Sequence, residues 1–156
     1  MARDPFRLIA RAQADYARCI DDDRLEAWPD FFSESCIYKI TTAENLRERL
    51  EAGIIFANSR DMLRDQVSAL REANIYERQS YRHILGQPCI LSDDGAEVRS
   101  ETCFLVVRIV QDGDSHIYAT GRYLDIYAIS DDVAKLSERI VVCDSSRIDT
   151  LLAIPL

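Results

Sequence analysis

The chain has 156 residues, 47% of them apolar and 29% charged, and a formal net charge of −8. This length and composition predict one globular domain spanning residues 1–156. The negative charge, without a basic stripe between aromatic residues, excludes nucleic acid as a partner. No apolar run reaches the ~18 residues of a membrane span, and "MARDPFRLIA" lacks the features of a signal peptide. We therefore expect a cytoplasmic protein that has no membrane contact.

The first part of the chain is predicted to be helical. Asp4 and Pro5 are typical of a helix start, because an N-cap residue precedes a proline at the first helical position. Side chains then recur at steps of three and four residues, which predicts one buried helix face: Phe6, Ile9, Gln13, Tyr16 and Ile20. In "DDDRLEAWPDFF", Asp23 and Glu26 have the spacing of a capping box, and Pro29 breaks or restarts the helix. The inward-facing residues of this stretch are predicted to be Leu25, Trp28, Phe31 and Phe32.

Two further elements are predicted before residue 80. "CIYKIT" (36–41) is typical of a short strand. "NSRDMLRDQVSALREAN" predicts a helix whose buried face carries Leu63, Val67, Leu70 and Asn74, spaced by four, three and four residues.

From residue 80 the hydrophobic period changes to two, which predicts strands. Turn sequences lie at "SDDG" (92–95), "QDGD" (111–114) and "SDD" (130–132), and the strands between them run for about a dozen residues or more. Such long strands form an antiparallel meander that must curl, and Gly121 suits a bulge or a point of close packing. The sequence predicts an α+β cone, a bent sheet wrapped around the N-terminal helix.

The sequence carries few features of metal or cofactor chemistry. The five cysteines are scattered without a C-x-x-C pair, which is typical of buried thiols and argues against a disulfide framework. The two histidines, His83 and His116, lie 33 residues apart and neither neighbours a cysteine, so no Rieske motif exists. No phosphate-binding, dinucleotide-binding or nucleophile-elbow motif is present. We expect no metal or nucleotide cofactor on this chain.

Acid–base chemistry stays open, because a cone-shaped sheet can enclose a cavity in which carboxyl pKa values are raised. Candidate side chains for such an interior are Tyr16, Tyr38, His83, Tyr118, Tyr123 and Asp125. Their spacing selects no subset. His83 lies between arginine and tyrosine residues in "IYERQSYRHIL", and it is either a catalytic base, a metal ligand or a hydrogen-bonded residue of the fold or an interface.

Several segments resemble the small (β) subunit of bacterial aromatic ring-hydroxylating dioxygenases. They are "DMLRDQVSALREANIYERQSYRHILG", "FLVVR", "GRYLD" and "ERIVVCDSSRIDTLLAIPL", and the likeness runs from about Tyr16 to Leu156. The last hairpin turn, "SDDVAK", departs from the pattern because it lacks a glycine. The resemblance implies the NTF2-like (cystatin-like) cone.

The resemblance also implies a function in assembly. A separate large (α) subunit would carry the Rieske [2Fe-2S] cluster and the mononuclear iron, and three β subunits would form the base of an α3β3 hexamer. A reductase would deliver electrons from NADH, and the assembly would oxygenate an aromatic carboxylate such as terephthalate. On this interpretation the side chains at subunit contacts are predicted to be Arg82, His83, Arg122, Tyr123 and Arg139.

Two other hypotheses remain open at this point. A stand-alone isomerase or dehydratase would use the cavity of the cone, and it would need a buried carboxylate paired with histidine or tyrosine there. A carrier of small ligands or a protein adaptor would have an open apolar pocket without paired titratable groups.

Overall fold

The computed structural model describes residues 2–51, 53–73, 79–147 and 154–156, with residue 79 described in its main chain only. Helices α1 (Pro5–Asp21), α2 (Ala43–Arg47) and α3 (Arg60–Ala73) and a 3₁₀ helix (Leu25–Phe31) accompany a seven-stranded sheet. The strands are β1 (Phe32–Thr42), β2 (Ile55–Ala57), β3 (Gln79–Leu85), β4 (Cys89–Asp93), β5 (Glu97–Val110), β6 (Ser115–Ser130) and β7 (Val133–Cys143). Among the described residues, no helix is long and apolar enough to cross a membrane.

The predicted start of α1 is confirmed. The helix begins at Pro5, and the Asp4 carboxylate accepts a hydrogen bond from the Arg7 N–H at 3.3 Å. Four of the five predicted face residues, from Ile9 to Ile20, are buried. The prediction for Phe6 is wrong, since its side chain is 41% exposed in the first turn, ahead of the first buried position of the helix.

The predicted capping box at Asp23 and Glu26 is also wrong. Asp23 adopts a left-handed backbone (φ 59°), and the 3₁₀ helix that follows has Arg24 at its cap position without a side-chain hydrogen bond. Both acids instead bind Arg71 of α3: Arg71 Nη1 donates to Asp23 Oδ1 at 2.9 Å and Arg71 Nε to Glu26 Oε1 at 2.7 Å. The acids therefore join the two helical segments instead of capping one.

We expect Arg71→Ala to lower the free energy of unfolding by about 1 kcal/mol at neutral pH, since the network is partly exposed to solvent. The hydrogen bond from Arg71 lowers the pKa of Glu26. A lowered carboxyl pKa stabilises the fold above the unfolded-state value of about 4.3 and loses that effect as the pH falls through the folded-state value. The difference between wild type and variant should therefore shrink in acid.

Urea unfolding of both proteins at neutral pH and below pH ~4 measures this difference. Arg64→Ala is the control, because Arg64 forms an exposed pair with Asp61 on the same helix at 2.8 Å. If the loss of unfolding free energy in Arg71→Ala were the same below pH ~4 as at neutral pH, the role of Glu26 would be contradicted.

The sheet has the order β2-β1-β7-β6-β5-β3, and β4 also pairs with β5. All pairs are antiparallel except β1 with β7, which run parallel. The wholly antiparallel sheet predicted from the sequence is therefore corrected to a mixed one. A parallel pair needs a long crossover, and here the chain passes through all the intervening elements before β7 returns beside β1. The α+β class and the cone are confirmed.

The predicted turns and long strands of the second half are confirmed. β5, β6 and β7 contain 14, 16 and 11 residues. The last turn contains no glycine. Asp131 and Asp132 adopt the left-handed conformation instead, with φ of 49° and 58°, which aspartate tolerates better than most residues. A Cβ on Gly121 would lie 2.0 Å from the Val142 carbonyl oxygen, so close packing of β6 on β7 requires glycine there.

Candidate functional site

A buried ion pair lies at the centre of the cone. The β6–β7 register places Asp125 directly opposite Arg139, and both side chains are 0% exposed. Arg139 Nε donates to Asp125 Oδ1 at 2.8 Å, and Arg139 Nη2 donates to Asp125 Oδ2 at 2.7 Å. Two parallel hydrogen bonds of this kind are the strongest form of an arginine–carboxylate contact.

Aromatic rings enclose the guanidinium. Its Cζ lies 4.2 Å from the ring centroid of Tyr16 and 3.9 Å from that of Tyr123, and its Nη2 donates to the Tyr127 hydroxyl at 3.2 Å. Burial works to lower the pKa of Arg139, but Asp125 and the tyrosines raise it well above its usual value. Burial likewise raises the pKa of Tyr123 well above its usual value. The arginine therefore stays charged and the tyrosines stay protonated.

Helix α1 closes this cluster from the other side. Gln13 Nε2 donates to Thr102 Oγ1 at 2.9 Å and to Asp125 Oδ2 at 3.3 Å. Both oxygens of Asp125 therefore accept hydrogen bonds, and its charge is balanced by Arg139. The sequence placed Gln13 on the buried helix face but gave no signal for its partner Thr102, which only the fold brings near.

Residues 154–156 lie beside the same cluster. The hydroxyls of Tyr16 and Tyr38 both donate to the main-chain oxygen of Leu156, at 2.8 and 3.2 Å. Leu156 is buried, as are Ile154 and Pro155. The segment therefore packs against Tyr16, one of the rings that enclose Arg139.

His83 lies apart from the cluster, on β3, where it contacts the end of α1. Its Nδ1 lies 2.7 Å from Asp21 Oδ1, and its main-chain N–H donates to Asp21 Oδ2 at 2.9 Å. Both side chains are almost fully buried. His83 Nε2 is buried and has no hydrogen-bond partner within the described ranges. His83 on β3 is therefore joined to the end of α1 through Asp21.

Tyr118, the remaining candidate from the sequence, and His116, the second histidine, have different surroundings. The ring centroid of Tyr118 lies 5.2 Å from that of Tyr81 and 5.0 Å from the Arg108 guanidinium carbon. His116 is exposed. The part of the chain that the structure describes holds no group of three or more histidine, cysteine or acidic residues able to bind a metal.

A family model described as "Ring hydroxylating beta subunit" matches residues 15–150. The chain belongs to this family. It is 50% identical to "Terephthalate 1,2-dioxygenase, terminal oxygenase component subunit beta 1" of Comamonas sp, over 95% of this chain and 96% of that protein. The family resemblance inferred from the sequence is confirmed.

Solved structures agree with this assignment. A β subunit from Novosphingobium aromaticivorans DSM 12444, assigned to the aromatic-ring-hydroxylating dioxygenases, is 36% identical with a TM-score of 0.90, covering 97% of this chain and 96% of that chain. A scytalone dehydratase-like protein from the same strain is 20% identical with a TM-score of 0.67, covering 89% and 83%. That second likeness shows the NTF2-like fold alone.

Membership of the ring-hydroxylating β-subunit family defines the general role of the chain. The relatives are subunits of an oxidoreductase, and the β subunit is not itself catalytic. The iron centres of these dioxygenases belong to the α subunit, with which a β subunit associates.

The five residues predicted at subunit contacts fall into two groups in this β subunit. Arg82 is 66% exposed, and Arg122 is 41% exposed beside Glu101, which it binds at 3.0 Å. The side chains of His83, Tyr123 and Arg139 are buried within the chain. A contact role for Arg82 and Arg122 stays a prediction, while the other three have partners inside the fold.

Proposed function

We propose that this β subunit forms the trimeric base of an α3β3 oxygenase whose α subunits oxygenate an aromatic carboxylate such as terephthalate. Electrons reach the α subunits from NADH through a reductase in the cytoplasm. The observation that carries the proposal is the state of the buried polar groups: Asp125 and Arg139 balance each other's charge, and the hydroxyls of Tyr16 and Tyr38 are bound to Leu156, so none of these groups is free to act on a substrate. The terephthalate dioxygenase relative supports the substrate class.

The outer face of the sheet, which turns away from α1, supports the trimer. Alternation along the strands places Ile37, Phe56, Ile84, Cys103 and Arg122 on this face, and each is at least partly exposed. Exposed apolar side chains on the same face as a charged pair, here Arg122 with Glu101, are a composition that suits a subunit contact. A closed ring of three identical copies would bury this face repeatedly.

The runner-up hypothesis, a stand-alone isomerase or dehydratase, needs a paired carboxylate that faces an open cavity. Asp21 with His83 is a buried carboxylate–histidine pair, but neither residue lines the apolar pocket beside α3. Asp125 is held by Arg139. The arrangement therefore favours the assembly function.

A pull-down through a tag on this chain from its native host tests the proposal, with native mass and iron content measured. We expect a near-equimolar larger partner that carries about three irons per αβ pair, two in the cluster and one mononuclear. A colourless, iron-free species without a partner would contradict it and favour the cavity enzyme instead.

Arg82→Ala and Arg122→Ala are expected to weaken assembly, because each removes an exposed guanidinium suited to bidentate contacts at an interface. Native mass spectrometry should show at least one variant shifted towards smaller species. Arg64→Ala on α3 is the control, since its pair with Asp61 lies on a helix instead of on the sheet. Unchanged oligomer mass for both variants would rule out the arginine contacts.

The exposed thiol of Cys103 gives a second readout for the same variants. Cys103 lies opposite Arg122 on β5, and it is exposed in the single chain. Cys89 is also exposed, so labelling is followed at Cys103 by peptide mapping; it should be slow in the assembled oligomer and faster in a variant that dissociates. Equal labelling rates in assembled and dissociated protein would place Cys103 outside the contact.

A further inference from the structure

We propose that a pocket between α3 and the β1–β2 end of the sheet binds neutral, single-ring aromatic compounds. The pocket has a volume of about 380 Å³. Its principal lining residues are Trp28, Tyr38, Ile55, Val67, Leu70 and Ile154. Neither Arg139 nor Asp125 lines the pocket, and the proposal does not rest on the α3β3 assembly.

The size of the pocket suits a small ring. Ligand pockets begin at about 300 Å³, and an apolar cavity of about 150 Å³ is already enough to bind benzene. A volume of about 380 Å³ thus accommodates one substituted ring with room for its substituents. The aliphatic side chains of Val67 and Leu70 are buried on α3 and would cover one side of such a ring.

The aromatic wall of the pocket is preformed. The rings of Trp28 and Tyr38 lie 5.2 Å apart at 80°, and Phe32 lies behind both in the same edge-to-face arrangement, at 5.5 and 5.8 Å. All three rings are at most 1% exposed, so they form a rigid base beneath the pocket that a ligand need not order on binding.

The polarity of the lining selects neutral ligands. None of the described residues that line the pocket carries a charge, and Gln66 supplies its one side-chain amide. The Tyr38 hydroxyl is turned to Leu156, where it donates to the main-chain oxygen and accepts from the main-chain N–H, both at 3.2 Å. A carboxylate placed here would lose its hydration without gaining a cation, which is unfavourable. Aromatic acids are therefore expected to bind much more weakly than their uncharged analogues.

The single tryptophan of the chain makes the test direct. Trp28 lines the pocket, so intrinsic fluorescence reports on it without interference from another tryptophan. Titration of the purified protein with toluene should change the emission saturably and raise the melting temperature. Titration with 4-methylbenzoate, which adds one carboxylate to the same ring, should need at least about tenfold more ligand for the same change.

Two variants on α3 locate the effect. Ala69 lines the pocket from the exposed side of the helix, whereas its neighbour Ser68 is exposed and does not line it. Ala69→Phe should fill the pocket and weaken toluene binding at least about tenfold, while Ser68→Phe should bind as wild type does. Circular dichroism and melting temperature confirm that both variants are folded. The proposal would be overturned if toluene changed neither the fluorescence nor the melting temperature, or if toluene bound equally well to the two variants. It would also be overturned if 4-methylbenzoate acted at the same concentration as toluene.

Discussion

Arg139→Met is expected to lower the free energy of unfolding by about 3–5 kcal/mol, because it leaves the buried carboxylate of Asp125 without its counter-ion. The loss reflects the uncompensated charge more than the missing contact. Arg139→Met combined with Asp125→Leu should therefore recover most of the stability, since apolar residues often replace a buried pair at little cost. Arg139→Lys should not restore the wild type, because an ammonium cannot form the two parallel hydrogen bonds.

Arg64→Met is the control for this prediction. Arg64 and Asp61 also form an ion pair, at 2.8 Å, but both side chains are exposed, and the pair lies on α3 and not on the sheet face proposed for assembly. The control should lose only about 0–1 kcal/mol. Urea unfolding of the variants at one protein concentration, with the oligomeric state checked by native mass, measures the difference. Equal losses for Arg139→Met and Arg64→Met would mean that burial does not govern the strength of the pair.

Periodicity and turn chemistry predicted those parts of the fold that depend on local sequence. The two-residue period and the turns after residue 80 gave the long strands, and Asp4 with Pro5 gave the start of α1. Gly121 could be identified as a point of close packing because a glycine within a long strand usually marks a bulge or the close approach of another backbone. These features need no knowledge of which strand lies beside which.

Features that depend on register or on distant partners could not be predicted in this way. Asp125 and Arg139 become a pair only because the β6–β7 register sets them opposite each other. Asp23 and Glu26 had the spacing of a capping box, but Arg71, 45 residues beyond Glu26 along the chain, binds both acids. The parallel pairing of β1 with β7 likewise follows from the path of the whole chain.

The pairing of the buried polar groups shows how one fold can serve both enzymes and assembly subunits. An NTF2-like cone offers a cavity, and a catalytic member would need a carboxylate there that is free to accept a proton. In this chain the corresponding interior holds Asp125, whose oxygens are occupied by Arg139 and Gln13. Tyr16 and Tyr38 use their hydroxyls on Leu156. These paired groups thus stabilise the cone, which suits a subunit that supports a separate catalytic chain.

Asp21→Ala is expected to lower the free energy of unfolding by about 2–5 kcal/mol, because one carboxylate serves two buried groups of His83. Its removal leaves both the imidazole Nδ1 and the main-chain N–H of His83 without their partner. β3 is an edge strand of the sheet, so the variant also opens that edge to pairing with other chains, and we expect it to aggregate more readily.

His83→Ala should lose less, about 1–3 kcal/mol, because Asp21 keeps its hydrogen bond to the main-chain N–H. The two substitutions share a contact, so the double variant should lose clearly less than the sum of the single losses. Asp22→Ala is the control, since Asp22 is exposed and pairs with Arg24 at 3.5 Å, and it should stay within about 0.5 kcal/mol of wild type.

Oxygenase turnover per iron in an assembled complex should not change with His83→Ala. A loss of turnover with intact assembly and iron content would assign His83 a functional role instead.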